Sequence, residues 1–272
     1  MYKIGLKLWS TNKQYVHEAQ RLFDQGFCNY IELFAVPDSF DEHIKLWAGL
    51  KIPYIIHAPH SAVGLNLANK DAREQNKVLI NETLKYADAL SASTIIFHSG
   101  GNGNIDETIY QLKEINDSRI TIENKPYLGS PVRGVSGLCN GYSSEEIKKI
   151  IEQVGTMFCL DMGHAIYAAN ALNVDSMEYL KQFMLLSPQM FHLADGDWMG
   201  KYDHHKHLGK GDFPLKDILV LLPSDAVISL ETPHAFADRL DDFDDDVRYL
   251  RNILLEVHKK TMFFDSQKVE GV

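Results

Sequence analysis

The chain has 272 residues, 45% of them hydrophobic and 24% charged, which is the composition of a soluble globular protein large enough for one α/β barrel or two ordinary domains. Its formal net charge of −10 argues against a protein held to nucleic acid mainly by general electrostatics, although a local patch could still bind it. No apolar run approaches the ~18 residues needed to span a bilayer, so no membrane partner is expected.

Taken in order, residues 4–9 form a strand pattern, and the N-terminus lacks the long apolar core of a signal peptide. A helix follows over 14–26, with Val16, Ala19, Leu22 and Phe23 on one face and Gly26 near its end. A strand over 30–35 closes at Val36-Pro37, a short helix over 41–49 leads to a strand over 53–57, and a long helix over 69–90 sets Val78, Leu79, Leu84, Ala87 and Leu90 inward. A strand over 94–98, a helix over 105–116 and a strand over 119–123 precede a loop rich in Gly, Ser and Pro (127–143). Ser143, Ser144, Glu145 and Glu146 then mark a helix start, because hydroxyls and carboxylates suit free N–H groups. Next come a strand over 157–161, a helix over 165–182, a strand over 190–193, a helix over 215–222, a strand over 226–231 and a final helix over 244–259.

Eight strand-like runs alternate with helices, and several are short and continuously apolar, as parallel strands covered on both faces are. The pattern predicts one (β/α)8 barrel, the TIM-barrel fold, as a single domain over 1–272, with a doubly wound open sheet as the alternative. No G-x-G-x-x-G follows the first strand, so a dinucleotide fold lacks its fingerprint. Cys28, Cys139 and Cys159 are odd in number and widely spaced; disulfides are not expected, and a reducing cytoplasm is the predicted location. No basic tail, heptad or lipidation signal points to a protein partner.

A barrel carries its active site at the carboxyl ends of its strands. Those ends hold His57, His98, Glu123, Asp161 with His164 three residues on, His192, then Asp203 and His205, and Glu231. Any one of them alone is more simply a satisfied structural residue. Nine together are not, because buried ionisable groups are costly unless paired or bound to metal and nearby cations are few. His17, His43 and His258 fall on helices and are expected at the surface. Asp195 and Asp197 fall out of strand register and are expected in supporting loops. The acidic run 241–246 lacks the glycine and final glutamate of a calcium loop and reads as a solvated helix N-terminus.

These segments resemble the endonuclease IV and xylose-isomerase-like superfamily of TIM barrels, from Ile4 to Pro233. The matching pieces are His57-Ala-Pro, Phe97-His98-Ser-Gly, Ile122-Glu123-Asn, Cys159-Leu-Asp161-Met-Gly-His164, Phe191-His192-Leu-Ala-Asp, Asp203-x-His205 with its Gly209-Lys-Gly211 turn, and Leu230-Glu231-Thr-Pro233. The resemblance implies that Glu123, Asp161, His192 and Glu231 form the quartet on which sugar isomerases and epimerases hold one metal. Endonuclease IV enzymes hold three zinc ions, and their additional positions are all present. By analogy His57, His98 and Glu123 would hold one zinc; Glu123 would bridge to a second, also bound by Asp161, His192 and Glu231; His164, Asp203 and His205 would hold the third.

The departures from the DNA-repair members are specific. His60 stands where they carry a tyrosine, Trp9-Ser10-Thr11-Asn12 replaces their glycine-rich first loop, and Lys125-Pro126-Tyr127 replaces small residues after the fifth-strand glutamate. The expected function is therefore a zinc-dependent phosphoesterase acting on abasic-site DNA or a smaller phosphate ester. Glu231 would orient or deprotonate water and Glu123 would bridge ions, with His60, Lys206, Lys210 and Arg133 contacting substrate. The alternative is a sugar isomerase or epimerase using one Mn2+, Mg2+ or Co2+, with Glu123 and Glu231 as the acid–base pair.

Overall fold

The computed structural model describes residues 2–131 and 136–269, the side chains of 258–269 excepted. The strands are β1 (Lys3–Trp9), β2 (Tyr30–Phe34), β3 (Tyr54–His57), β4 (Ile95–His98), β5 (Ile120–Glu123), β6 (Met157–Asp161), β7 (Met190–Leu193) and β8 (Val227–Leu230). They pair in sequence order, all parallel, and β1 closes on β8 through Lys3↔Val227 to Leu6↔Leu230. Closure excludes the open sheet.

The helices between them are α1 (Val16–Asp24), α2 (Phe40–Ala48), α3 (Arg73–Ala89), α4 (Ile105–Ile115), α5 (Ser144–Val154), α6 (Met162–Leu172), α7 (Ser176–Met184), α8 (Leu215–Val220) and α9 (Asp241–Val269). Asn104, Ser143, Asp161 and Asp175 cap α4 to α7, each side chain accepting a backbone N–H two or three residues on. The helix expected over 165–182 is two helices. Asn173 turns left-handed (φ 56°) at the end of α6, and the Asp175 cap restarts the chain as α7. In α3, Val78 faces solvent rather than the core, being 60% exposed, because Leu79 and Ile80 already fill the inner stripe.

Two apolar layers result. Outside the sheet, residues such as Leu6, Leu33, Ile56, Phe97, Ile122 and Phe191 pack against the helices. Inside the barrel lies a smaller cluster of Tyr30, Ile55, Ile96, Cys159 and Met190. Strand side chains alternate, so the residues two further along face the same interior, one layer higher. They are Glu32, His57, His98, Asp161 and His192. The floor of the barrel is apolar and the layer above it is almost wholly ionisable. All three cysteines are free and buried. Among the described residues no helix is long and apolar enough to cross a membrane.

Candidate metal centre

The nine residues expected at the strand ends converge. His57, His98, Glu123, Asp161 and His192 lie at or next to the ends of β3 to β7, His164 lies in the first turn of α6, and Glu231 directly follows β8. Asp203 and His205 reach in from the loop after β7. A cavity of about 690 Å³ opens over them, lined by His57, His98, Glu123, His164, Asp203, His205 and Glu231. Four clusters among the described residues have ligand atoms close enough to share an ion: His57 with His98 and Glu123; Glu32 with His192 and Glu231; Glu123 with Asp161 and His192; Asp161 with His164 and His205. Asp203 joins the last of these, 2.9 Å from His205 Nε2 and 3.7 Å from His164 Nε2.

Local structure aims these groups. Asp161 caps α6 by accepting the His164 N–H at 2.7 Å, which fixes the two against each other. Asn124 locks β5 to β6, donating to the Asp161 carbonyl (3.0 Å) and accepting its N–H (2.8 Å). Asp195, buried in the β7 loop, accepts the N–H groups of Gly196, Gly209 and Phe213 and so gathers the loop that carries Asp203 and His205. Gly211 passes so close that a Cβ there would lie 2.2 Å from the Gly196 carbonyl oxygen.

A metal-binding imidazole donates its remote N–H to an acceptor, leaving the other nitrogen bare. Three of the histidines give one nitrogen to such an acceptor, although the second nitrogen of His57, Nε2, also meets Glu123 Oε2 at 3.1 Å. His57 Nδ1 donates to the Ala58 carbonyl (2.7 Å), His164 Nδ1 to the Asn124 carbonyl (2.8 Å), and His192 Nε2 to Glu32 Oε2 (3.0 Å). His192 Nδ1, fully buried, has no hydrogen-bond partner and lies 3.0 Å from Glu231 and 3.4 Å from Glu123. A bare nitrogen facing carboxylates fits a divalent cation between them.

The electrostatics describe the same need. Burial alone would raise the Glu123 carboxyl, but His98, His192 and His164 outweigh it and hold it well below the usual range. Burial likewise opposes ionisation of Glu231 and Asp203; His192 and Lys7 overcome it for the first, His205 and His164 for the second. Asp161 is raised, by burial first and then by Glu231 and Glu123. Burial disfavours charge on His164 and His192, yet Asp161 and Asp203 beside the first, and Cys159 with Glu231, Glu32 and Glu123 beside the second, push both well above the ordinary imidazole value. Without a cation the centre gathers protons onto His164, His192 and His205, whereas burial holds His98 well below the ordinary imidazole value.

Lys7 and Glu32 join the site although the strand ends do not point to them. The Lys7 ammonium bridges Glu231 and Glu32, 2.9 Å from the latter, and Glu32 also accepts from Ser229 Oγ. Both interrupt apolar runs at inward-facing positions, and that was the available signal. Lys125 touches His98 Nδ1 at 3.1 Å, and Trp9, Phe34 and His234 line the cavity.

The expected substrate contacts divide. His60 is on the cavity wall, its ring stacked 6.0 Å from that of His98. Lys206 instead pairs with Asp197, and Lys210 is exposed; neither lines the cavity. Arg133 lies outside the described residues, as does the side chain of His258. His43, expected at the surface, is buried with its ring on the Ser39 carbonyl, because α2 turns that face toward the barrel. The acidic run is not simply solvated: Asp242 accepts the Ala235 N–H, and Asp246 binds His207 Nδ1 and the Leu208 N–H, tethering the loops after β7 and β8 to α9.

Fold and site together define an eight-stranded α/β barrel with a buried cluster of imidazoles and carboxylates at its carboxyl mouth. The family model for the xylose isomerase-like TIM barrel matches residues 29–253, and the chain belongs to that family. Among curated relatives, the probable endonuclease 4 of Thermoplasma volcanium is 26% identical over 221 residues, covering 72% of this chain and 73% of that one. The probable endonuclease 4 of Aquifex aeolicus is 28% identical over 221 residues, covering 72% and 74%. Two solved structures share the fold equally well. A D-tagatose 3-epimerase-like protein superposes with TM-score 0.69 at 19% identity, covering 95% of this chain and 99% of that one. Endonuclease IV from Thermus thermophilus does so with TM-score 0.69 at 22% identity, covering 93% and 99%.

Proposed function

We propose that this chain is a metal-dependent phosphoesterase whose substrate is a phosphate ester small enough to enter the cavity. The observation that carries the reading is the joint presence of the quartet Glu123, Asp161, His192 and Glu231 with the further ligand-type groups His57, His98, His164, Asp203 and His205 around one cavity. A one-metal isomerase has no use for that second set. Zinc suits so many imidazoles, and the donor set has room for up to three ions.

Divalent ions in such a site supply Lewis-acid stabilisation of phosphate charge and lower the pKa of water. The chain's own groups do the rest. Glu123 belongs to two of the clusters, with His57 and His98 and with Asp161 and His192, and in this reading it bridges the two positions. Glu231, kept ionised by His192 and Lys7, would in this reading orient water and accept its proton. His60 forms part of the wall that would meet the ester. A cavity of about 690 Å³ is of small-ligand size, and the acidic chain disfavours broad contact with a DNA backbone.

A second reading, a sugar isomerase or epimerase with one Mn2+, Mg2+ or Co2+, is favoured by one observation. Glu123 and Glu231 both line the cavity with His192 Nδ1 between them, an arrangement able to move a proton beside a polarised carbonyl. Metal-loaded protein offered bis-p-nitrophenyl phosphate, a duplex with one abasic site, and ketose–aldose pairs separates the readings. Hydrolysis of the small ester, reduced by about 10²–10⁴ in Glu231→Gln, is expected. Sugar interconversion with no ester hydrolysis would overturn the proposal.

A further inference from the structure

The amino end of the barrel, opposite the metal centre, holds a second cavity of about 510 Å³. Its wall is built from residues that open the strands. Tyr30, Met157, Met190 and Val227 begin β2, β6, β7 and β8, and Ile55 and Thr121 stand second in β3 and β5. Tyr30 is a fixed part of this wall. Its ring crosses β1 at Gly5, where a Cβ would lie 2.3 Å from it, and its hydroxyl meets Ser229 Oγ on β8 at 2.9 Å. No lining residue is shared with the cavity over the metal centre.

One polar group on this wall is left over by the fold. Thr121 is 1% exposed, and its hydroxyl has no hydrogen-bond partner among the described residues. Two residues before Glu123 on β5, it faces the barrel interior one layer lower. Its neighbours across the sheet are the apolar Ile96 and Met157. The other hydroxyls and the amide deep in the wall are engaged. Tyr30 has Ser229, Tyr54 donates to the Trp47 carbonyl (2.6 Å), and Gln189 accepts the Phe158 N–H (2.8 Å) while donating to the Ser187 carbonyl. Buried polar groups are almost always bonded, and valine would fill the same shape with no hydroxyl to satisfy.

We infer that this cavity is a second binding site, for an uncharged, mainly apolar small molecule whose one hydroxyl is bonded by Thr121 Oγ1. The wall sets the class of ligand. Among the described residues Lys3 is the sole charged group lining it, and Lys3 is exposed, so an ion would enter without a buried partner. A volume of about 510 Å³ lies within the range of small-ligand sites. The inference is independent of the reaction at the other end of the barrel.

The test uses phenol as the probe and toluene, of the same shape without the hydroxyl, as its control. Both are titrated into the full, chelated protein and followed by backbone amide resonances, for the wild type, Thr121→Val and Val227→Phe. Melting curves check that each variant folds. Phenol should bind the wild type with a Kd of about 1 mM, as suits a ligand of its size, and shift amides around Thr121 and Met190. Thr121→Val should weaken phenol by about 3–10-fold, the worth of one hydrogen bond, and leave toluene unchanged. Val227→Phe, filling the cavity from a partly exposed position, should abolish binding of both. Absence of saturable phenol binding by about 10 mM would overturn the inference, as would shifts confined to the carboxyl ends of the strands. Equal affinities of phenol and toluene for the wild type would overturn it whatever the variants do.

Discussion

Replacing Glu32 by Gln tests whether the layer beneath the cavity serves the centre or only fills the barrel. Glu32 is fully buried; Oε2 accepts from His192 Nε2 at 3.0 Å and from Ser229 Oγ, and Oε1 lies 2.9 Å from the Lys7 ammonium. The amide retains one acceptor, so His192 or Ser229 can still be bonded, and Lys7 keeps Glu231. Breaking a buried charged contact costs about 3–5 kcal/mol at most. With one acceptor kept, a loss of about 1.5–3 kcal/mol is expected, the size of a hydrogen bond to a charged group. It would be measured by urea denaturation of the chelated protein. The sharper expectation concerns metal. The carboxylate keeps the proton on His192 Nε2 and leaves Nδ1 bare, so Glu32→Gln should weaken metal binding by about 10–100-fold, or about 1.4–2.7 kcal/mol. Competition with a chromophoric chelator measures it. Stability lost with metal affinity unchanged would show that Glu32 is a packing residue and that His192 is oriented by something else.

Other outcomes follow from the same geometry. Gly211→Ala places a methyl against the Gly196 carbonyl and Asp195, so it should cost about 1–3 kcal/mol in stability and lower metal content by displacing the loop of Asp203 and His205; unchanged melting temperature and metal content would contradict this. In the chelated protein His164 and His192 have folded pKa values above the unfolded one, so their contribution is complete below about pH 6.5 and is lost as pH rises through the folded values. Its melting temperature should therefore fall from pH 6 toward pH 9, an effect that bound metal suppresses; a flat profile without metal would count against the protonated cluster. Burial pushes the thiols of Cys28 and Cys159 up to about 12, and Cys139 is also buried. A thiol reagent should accordingly find no fast-reacting cysteine in the native chain and three after denaturation.

Much of this was legible in the linear chain. The eight short apolar runs and the helices between them point to a parallel sheet covered on both faces, and their number suits a barrel, while the pairing of β1 with β8 that closes it is given by the structure. A histidine or carboxylate closing an apolar run is visible without a structure, and in a barrel all such ends meet on one face. That is why His57, His98, Glu123, Asp161, His192 and Glu231 could be read directly. Asp161 with His164 three residues on was readable from the spacing alone, whereas the cap that holds His164 in the first turn of α6 is given by the structure.

Tertiary structure decided the rest. Whether Lys7 and Glu32, inside their strands, face the helices or the barrel interior depends on strand register around the closed sheet, as Lys7↔Glu32 and His192↔Ser229 show. The break between α6 and α7 hangs on one left-handed residue and one cap in a continuous apolar pattern. Asp246 reads as a solvated charge until α9 packs back on the loop of His207. The protonation pattern of the imidazoles is still further from the linear chain. The nitrogen each offers is set by partners from elsewhere in the chain: Asn124 for His164 and Glu32 for His192. Residue type and spacing determine which groups reach the centre; only the three-dimensional neighbours of each ring determine which atom it offers.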